Sequence, residues 1–354
     1  MITDIVTVRP ETIDTAEAEQ TLRRAADILR RGGLVVFPTE TVYGLGADGT
    51  CAEAAKRIYE AKGRPSDNPL ILHVASVADA ARVAFTNEVY DALAAAFMPG
   101  PLTVILPARD TVPKEVRGGL ATVAIRCPSH PVAHRLIEYC GVPIAAPSAN
   151  RSGSPSPTNA SHMRDDMDGL VDMIIDGGES QIGLESTIVQ IEEDGSVVLL
   201  RPGGITVEDL KAVVGEVRVS HAVTGALRPG ERVLSPGMKY RHYAPKAPVL
   251  LMDGATEDVI RYIQTEGMTN IGILCYDEDR ARFAAALPQA VLYLLGPCED
   301  TKAQAHTLFY LLREADKRGF DKLYAPLPSK EGIGLALYNR LIRAASYTIC
   351  TLKK

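Results

Sequence analysis

Between Val219 and Pro248 the chain changes character. Four prolines (229, 236, 245 and 248) and several glycines interrupt every hydrophobic period there. Such a stretch sustains neither helix nor strand, so it reads as a linker. It divides the 354 residues into 1–218 and 249–354, each the size of a domain. Beyond it the pattern is regular. Strands Val249–Met252, Ile271–Cys275, Val291–Leu294 and Lys322–Ala325 alternate with helices near 257–266, 279–286, 302–318 and 333–346. Strand–helix alternation predicts a small parallel α/β domain. Its first strand–helix turn, Asp253-Gly-Ala-Thr256, lacks a glycine-rich phosphate loop.

Before the linker the pattern is mixed. Asp14-Thr-Ala-Glu17 reads as a capping box opening a helix, with Ala18, Leu22, Ala25, Ile28 and Leu29 on one face and Gly32-Gly33 ending it. Leu34–Phe37 is a short buried strand, and Pro38–Gly49 reads as a loop. Thr50-x-x-Glu53 caps a second helix, which runs into Lys62-Gly-Arg-Pro-Ser-Asp-Asn-Pro-Leu70, a segment expected to be irregular. Leu70–Val74 is a strand, and two Ala-rich helices run to about Phe97. Strands follow at Leu102–Leu106, Thr122–Arg126, Pro143–Pro147, Met173–Ile175, Thr187–Ile191 and Val197–Leu200. Helices are expected over His130–Tyr139 and from a cap near Thr158. Strands and helices without strict alternation predict a mixed twisted sheet with helices.

A chain that is 46% hydrophobic and 23% charged can bury real cores. No apolar run approaches the ~18 residues of a membrane span. The N-terminus carries no basic region followed by an apolar one, so no signal peptide is expected, and six dispersed cysteines without C-x-x-C fit reduced thiols. A net charge of −6 disfavours broad duplex binding but leaves room for a local cationic pocket.

Lys62 and Arg64 place a point charge and a planar fork two residues apart, a pairing suited to anions. Taken alone, K-x-R is most often a solvated turn. Its company is Ser148-Ala-Asn150 after one strand, with a hydroxyl-rich loop to Thr158, and Pro38-Thr-Glu-Thr-Val-Tyr-Gly-Leu-Gly46 after another. Freed backbone N–H groups, hydroxyls and amides can cradle phosphate oxygens. No Gly-Lys pair occurs, so no P-loop exists. Gly44-Leu-Gly-Ala-Asp-Gly49 matches G-x-G-x-x-G, but six residues separate it from the preceding strand, which argues against a dinucleotide fingerprint. His73, among apolar neighbours, reads on burial grounds as a core histidine. His130, His134 and Glu138 share a helical spacing without zinc-protease order, so a solvated face is expected and no metal site.

These motifs resemble the threonylcarbamoyl-AMP synthase family, whose YrdC-like domain carries a K-x-R and S-x-N pairing. Here the pairing is Lys62, Arg64, Ser148 and Asn150. Leu184-Glu-Ser186, Leu200-Arg201-Pro-Gly-Gly204 and Ser235-Pro-Gly-Met-Lys-Tyr-Arg-His-Tyr-Ala-Pro245 resemble further family motifs. The last is similar to the linker of the family's two-domain branch, which folds back over the active site. The resemblance implies an α/β protein: a YrdC-like mixed twisted sheet around a concave cavity over 1–218, a linker over 219–248, and a parallel, Rossmann-like domain over 249–354. It implies a nucleotidyltransferase that converts L-threonine, bicarbonate or CO2, and ATP into threonylcarbamoyl-AMP and pyrophosphate, the first step of a tRNA modification. Lys62, Arg64, Ser148 and Asn150 are then catalytic. Those four with Asn68, Thr122, Ser156, Arg201 and Tyr240 face ATP. Thr39, His73, Arg126, Ala146 and Ser186 hold threonine, with Arg126 pairing its carboxylate, while Glu40 and Tyr43 are structural. Mg2+ is expected on the phosphates without an assigned protein ligand. Expected partners are proteins that pass the threonylcarbamoyl group to tRNA, with room for a weak tRNA contact. No membrane is expected, and the expected location is cytoplasmic.

The competing class is a module that binds double-stranded RNA without synthase activity. Net acidity and the lack of interleaved basic patches outside the linker argue against it. A carbamoyl-group handler of hydrogenase maturation would carry zinc-finger cysteine pairs, which are absent. A non-synthase paralogue is disfavoured by intact K-x-R and S-x-N.

Overall fold

The computed structural model describes residues 2–228, 230–231, 233–236 and 243–352. The chain divides into two compact units, Met1–Ser152 with Ser156–Lys239, and Gly153–Pro155 with Tyr240–Lys354. The first unit runs β1 (Asp4–Thr7), α1 (Ala16–Arg30), β2 (Val35–Phe37), β3 (Gly44–Asp48), α2 (Ala52–Lys62), β4 (Ile71–His73), α3 (Glu88–Phe97), β5 (Leu102–Pro107) and β6 (Thr122–Arg126). It continues with α4 (Pro131–Cys140), β7 (Ile144–Ala146), α5 (Ala160–Met167), β8 (Met173–Asp176), β9 (Thr187–Ile191), β10 (Val197–Arg201), α6 (Val207–Val214) and β11 (Val217–Val219). All eleven strands form one sheet in the order β1-β8-β2-β3-β7-β4-β6-β5-β9-β10-β11. It is mixed: β4 runs parallel to β6 and antiparallel to β7, and β5 runs parallel to β9.

Helices α1 and α4 cover one face of this sheet. Leu22, Ala25 and Leu29 of α1 meet Val132, Leu136 and Ile137 of α4 over Phe37, Ile144, Met173 and Ile175. The expected apolar stripe of α1 is therefore the buried one, with Ile28 at its margin. Farther along the sheet a smaller cluster joins Ile71, Ile105, Ala124, Ile188, Val198 and Leu200, with Leu234 of the proline-rich segment packed against it.

Several boundaries differ from the sequence reading. Helix α1 is capped by Thr15, which accepts from the Ala18 N–H, not by Asp14. Helix α2 starts after Cys51, while Thr50 bonds Asp48 instead of capping. The cap of α5, expected near Thr158, is Asn159. The first Ala-rich helix after β4 is a 3-10 turn, Val77–Arg82. The segment read as a loop over 38–49 contains β3, antiparallel to β2. Its glycines have a packing reason: a Cβ on Gly46 would lie 2.8 Å from Ile144 Cγ2 and 2.9 Å from the Phe37 ring. Glycine lets the strand approach that ring closely. The G-x-G-x-x-G match is thus a packed strand.

The second unit holds β12 (Val249–Asp253), α7 (Thr256–Glu266), β13 (Ile271–Cys275), α8 (Arg280–Ala286), β14 (Val291–Leu294), α9 (Thr301–Arg318), β15 (Lys322–Pro326), α10 (Gly334–Ala344) and β16 (Ile349–Thr351). Its sheet, β14-β13-β15-β12-β16, is parallel throughout. Leu250, Met252, Ile271, Ile273 and Tyr324 meet Val259, Ile263 and Phe283 of α7 and α8 on one face. Leu251 is also buried, so both faces of β12 are covered, as a parallel sheet requires. Strands β1, β11 and β16 and helix α6 escape sequence patterning because they are short, with mostly half-exposed or exposed residues. Among the described residues no helix is long and apolar enough to cross a membrane.

Candidate active site

Three loops of the first unit are laced together by main-chain hydrogen bonds. The 38–43 loop after β2 receives Ile182 N–H on Glu40 O (2.9 Å) and Gly183 N–H on Thr41 O (3.1 Å). The loop after β7 donates Ala149 N–H to Tyr43 O (2.8 Å), and Tyr43 N–H reaches Pro157 O (3.0 Å). The Tyr43 hydroxyl donates to Gly178 O and accepts from Gly177 N–H. So Thr39–Tyr43, Ser148–Ser152 with Ser156–Pro157, and the approach to Ser186 form one framework, although they are far apart in sequence.

Lys62 is the last residue of α2, not part of an irregular loop, and Gly63 closes the helix in the left-handed conformation at φ 62°. The Lys62 ammonium is buried and points into the S-x-N turn. It donates to Ser148 O at 2.5 Å and to Asn150 O, with Asn150 Oδ1 at 3.5 Å. Ser148 Oγ donates to Asn150 Oδ1, and Ser152 N–H returns to Lys62 O at 2.9 Å. Lys62, Ser148 and Asn150 are therefore one cluster. Arg64 closes its own turn onto Asn68 O and Pro69 O, the latter at 3.1 Å. Asn68 is buried below it.

A second cluster sits where β9 and β10 meet. Arg201, the last residue of β10, donates through Nε to Ser186 O (3.0 Å) and through Nη2 to Ser186 Oγ (3.1 Å). Ser186 Oγ lies 2.8 Å from Thr103 Oγ1 on β5. Sequence reading missed Thr103, because a lone Thr inside an apolar strand carries no signal. The residue expected to touch phosphate and the residue expected to touch threonine thus bond each other. Thr103→Val keeps the volume and removes the hydroxyl. It is expected to cost about 1 kcal/mol, read as a lowered denaturation midpoint with an unchanged denaturant slope.

The third cluster centres on Arg126, the last residue of β6. Its Nη2 donates to Glu40 Oε1 at 2.7 Å, and both side chains are about 95% buried. Burial pushes the Glu40 carboxyl up, but the Arg126 charge and hydrogen bond outweigh it and hold the carboxyl below its ordinary value. His73 is paired with Arg126 in the β4–β6 register and lies edge-on to Phe37. Its Nδ1 is 3.1 Å from Ile71 O, which can only accept, so Nδ1 carries the proton. Burial, then the nearby Arg126 charge, pushes the His73 ring down to about 3. His73 is thus neutral across physiological pH. The unfolded chain binds this proton below about 6.5 and the folded one does not. Stability is therefore expected to fall between about pH 6.5 and 3, by up to ~1.4 kcal/mol per pH unit. Urea titrations of the parent and of His73→Phe across that range check this, and the variant should show the shallower slope.

The remaining expected residues divide. Thr39 Oγ1 is turned inward on Val42 O (2.6 Å) and Thr41 Oγ1 (2.9 Å). Ala146 is buried at the end of β7, next to the Ser148 turn. Ser156 Oγ donates to the buried Glu185 carboxylate, a partner that sequence reading did not single out. Thr122 opens β6 whereas Arg126 ends it, so the two are about 13 Å apart along the strand at roughly 3.3 Å per residue. Tyr240 lies outside the described residues. His130 is not on the helical face with His134: it precedes α4 and caps it, its Nδ1 accepting from Val132 N–H. Among the described residues no cluster of three or more His, Cys, Asp or Glu could hold a metal ion.

Similarity to known proteins covers both units. A family described as Telomere recombination (Sua5_yciO_yrdC) matches residues 27–203, and one described as Threonylcarbamoyl-AMP synthase, C-terminal domain, matches 205–346. The threonylcarbamoyl-AMP synthase of Pyrococcus abyssi is 45% identical, covering 94% of this chain and 96% of the relative. That of Bacillus subtilis is 43% identical over 92% of each. The crystal structure of P. abyssi Sua5 complexed with L-threonine superposes with a TM-score of 0.86 at 42% identity, covering both chains completely. This chain belongs to the threonylcarbamoyl-AMP synthase family.

Proposed function

We propose that the laced loops bind L-threonine and ATP side by side and make threonylcarbamoyl-AMP and pyrophosphate. The observation that carries this reading is the Arg201–Ser186 bond, which joins the expected phosphate side to the expected amino-acid side. The threonine-bound relative supports the choice of amino acid. The threonine nitrogen forms a bond to the carbon of CO2 and loses a proton, giving a carbamate; from bicarbonate the C–OH bond also breaks, and that hydroxyl leaves with the nitrogen's proton as water. A carbamate oxygen then attacks the α-phosphorus, and the bond to the β-phosphate breaks to release pyrophosphate. No protein nucleophile is needed, so the chain's task is positioning and charge stabilisation.

Lys62, Arg64 and Arg201 supply positive charge toward the triphosphate, with Ser148, Asn150, Asn68 and Ser156 as hydrogen-bonding groups. Arg126 takes the threonine carboxylate, and His73, Thr39, Ala146 and Ser186 shape that half-site. The described residues offer no carboxylate cluster for Mg2+. The ion belongs here with its nucleotide substrate, and no step is assigned to it. The adenylate would pass to proteins that place the threonylcarbamoyl group on tRNA in the cytoplasm. Double-stranded RNA binding as the main role fits neither the relatives' names nor a net charge of −6.

Pyrophosphate release from ATP and bicarbonate, measured with each amino acid in turn and followed by mass analysis of the nucleotide, tests the reading. Release that depends on threonine, with a threonylcarbamoyl adenylate formed, is expected. Release independent of amino acid, or none, would overturn it.

A further inference from the structure

We propose that Glu40 is a positioning residue of the amino-acid half-site, holding the Arg126 guanidinium in the pose that receives the substrate carboxylate. The inference rests on Arg126 being the carboxylate receptor.

Glu40 arrives on a fixed backbone. Its carbonyl is bonded to Ile182 N–H and the next carbonyl to Gly183 N–H, so the loop cannot easily carry the carboxylate away. Its Oε1 takes Arg126 Nη2, one of the five N–H donors of a guanidinium, which leaves donors for a second planar anion.

Stability alone does not account for the pair. A buried ion pair gains little over apolar side chains of similar volume. This one also leaves Glu40 Oε2 and Arg126 Nε buried with no hydrogen-bond partner among the described residues. Each such atom is a cost, and an arginine–carboxylate pair optimised for strength would close both bonds of the fork. Local costs of this kind are retained where function needs the geometry. The place fits: the pair lies at the end of β6, beside His73, on the loop that also carries Thr39. Without Glu40, Arg126 would be an unmatched buried charge on a long side chain, free to take other rotamers. A threonine carboxylate would then have to order it.

The test uses the full-length protein and steady-state pyrophosphate release, with threonine and ATP varied separately. Glu40→Gln keeps the shape and removes the charge, while Glu40→Asp keeps the charge and withdraws it by one methylene. Glu40→Gln is expected to raise the KM for threonine roughly 10- to 100-fold, with the KM for ATP nearly constant and kcat falling less than the threonine KM rises. Glu40→Asp should show a smaller rise of the same kind, roughly 3- to 10-fold, and serves alone if Glu40→Gln does not fold. Arg126→Lys, measured in parallel, should also raise the threonine KM. A purely structural role would lower kcat and leave both KM values in place, and that result overturns the proposal. A parental threonine KM in the Glu40 variants, with a raised one in Arg126→Lys, overturns the role of Glu40 alone. A parental threonine KM in Arg126→Lys overturns the half-site reading beneath it.

Discussion

Lys62→Met is expected to lower threonine-dependent pyrophosphate release by roughly 10²- to 10³-fold, the usual loss when one preorganised charge-stabilising donor is removed. The sequence motif suggests a cation presented on an irregular loop. The structure gives the ammonium a second task. It is buried at the end of α2 and satisfies the carbonyls of Ser148 and Asn150, so it shapes the S-x-N turn as well as charging it. Methionine preserves the packing of the stem and leaves those carbonyls without their donor. A stability cost of about 2–4 kcal/mol is therefore expected as well. The two effects separate experimentally. Release is measured per mole of folded protein, well below the variant's denaturation midpoint, and stability by urea titration. A folded Lys62→Met with the parental rate would leave Lys62 as a loop clamp and remove it from the chemistry.

Arg126→Ala is expected to cost about 3–5 kcal/mol at neutral pH, because it strands a buried carboxylate. It should also reverse how that carboxylate responds to pH. In the parent, the Glu40 carboxyl lies below its ordinary value of 4.5. Its contribution to stability is present above that value and is lost as pH falls through the lower folded value. In the variant burial, the largest of the influences on this carboxyl, is opposed only by backbone hydrogen bonds and is expected to push it up. The folded state then holds the proton more tightly than the unfolded one. Stability is retained below about 4.5 and is lost as pH rises through the raised folded value. His73 acts in the same direction, since losing the Arg126 charge makes its protonation at low pH less unfavourable. Urea midpoints for parent and variant between pH 4 and 8 decide the matter. The variant's deficit should widen as pH rises. A constant deficit would mean that Glu40 finds another cation or lies exposed once Arg126 is gone.

Several residues that the sequence singles out lie together in the structure. Lys62, Ser148 and Asn150 do meet, and Ser186 meets Arg201. The apolar stripe of α1 and the strand–helix alternation beyond the linker also read correctly, because periodicity reports directly which face is buried. Strand β3 was not legible. Gly-Leu-Gly-Ala-Asp has the composition of a loop, and only the close approach of Phe37 and Ile144 explains why glycine suits a strand there. The caps of α1 and α2 shifted by one residue or lost their side-chain bond, since several neighbouring residues satisfy the same rule.

What the chain determined through local pattern was its two kinds of sheet, and local pattern also singled out the cations of the proposed anion site. Each follows from residues near one another in sequence. The tertiary structure alone decided the pairings that tune those cations. Glu40 reaches Arg126 across 86 positions, Lys62 reaches Asn150 across 88, and Thr103 reaches Ser186 across 83. A polar side chain carries no sequence mark of its distant partner. The partner is set by tertiary topology: the sheet aligns the ends of β4, β6 and β10 at one edge, and the loops that follow β2 and β7, which leave its opposite edge, are tied to each other and carry Glu40 to Arg126.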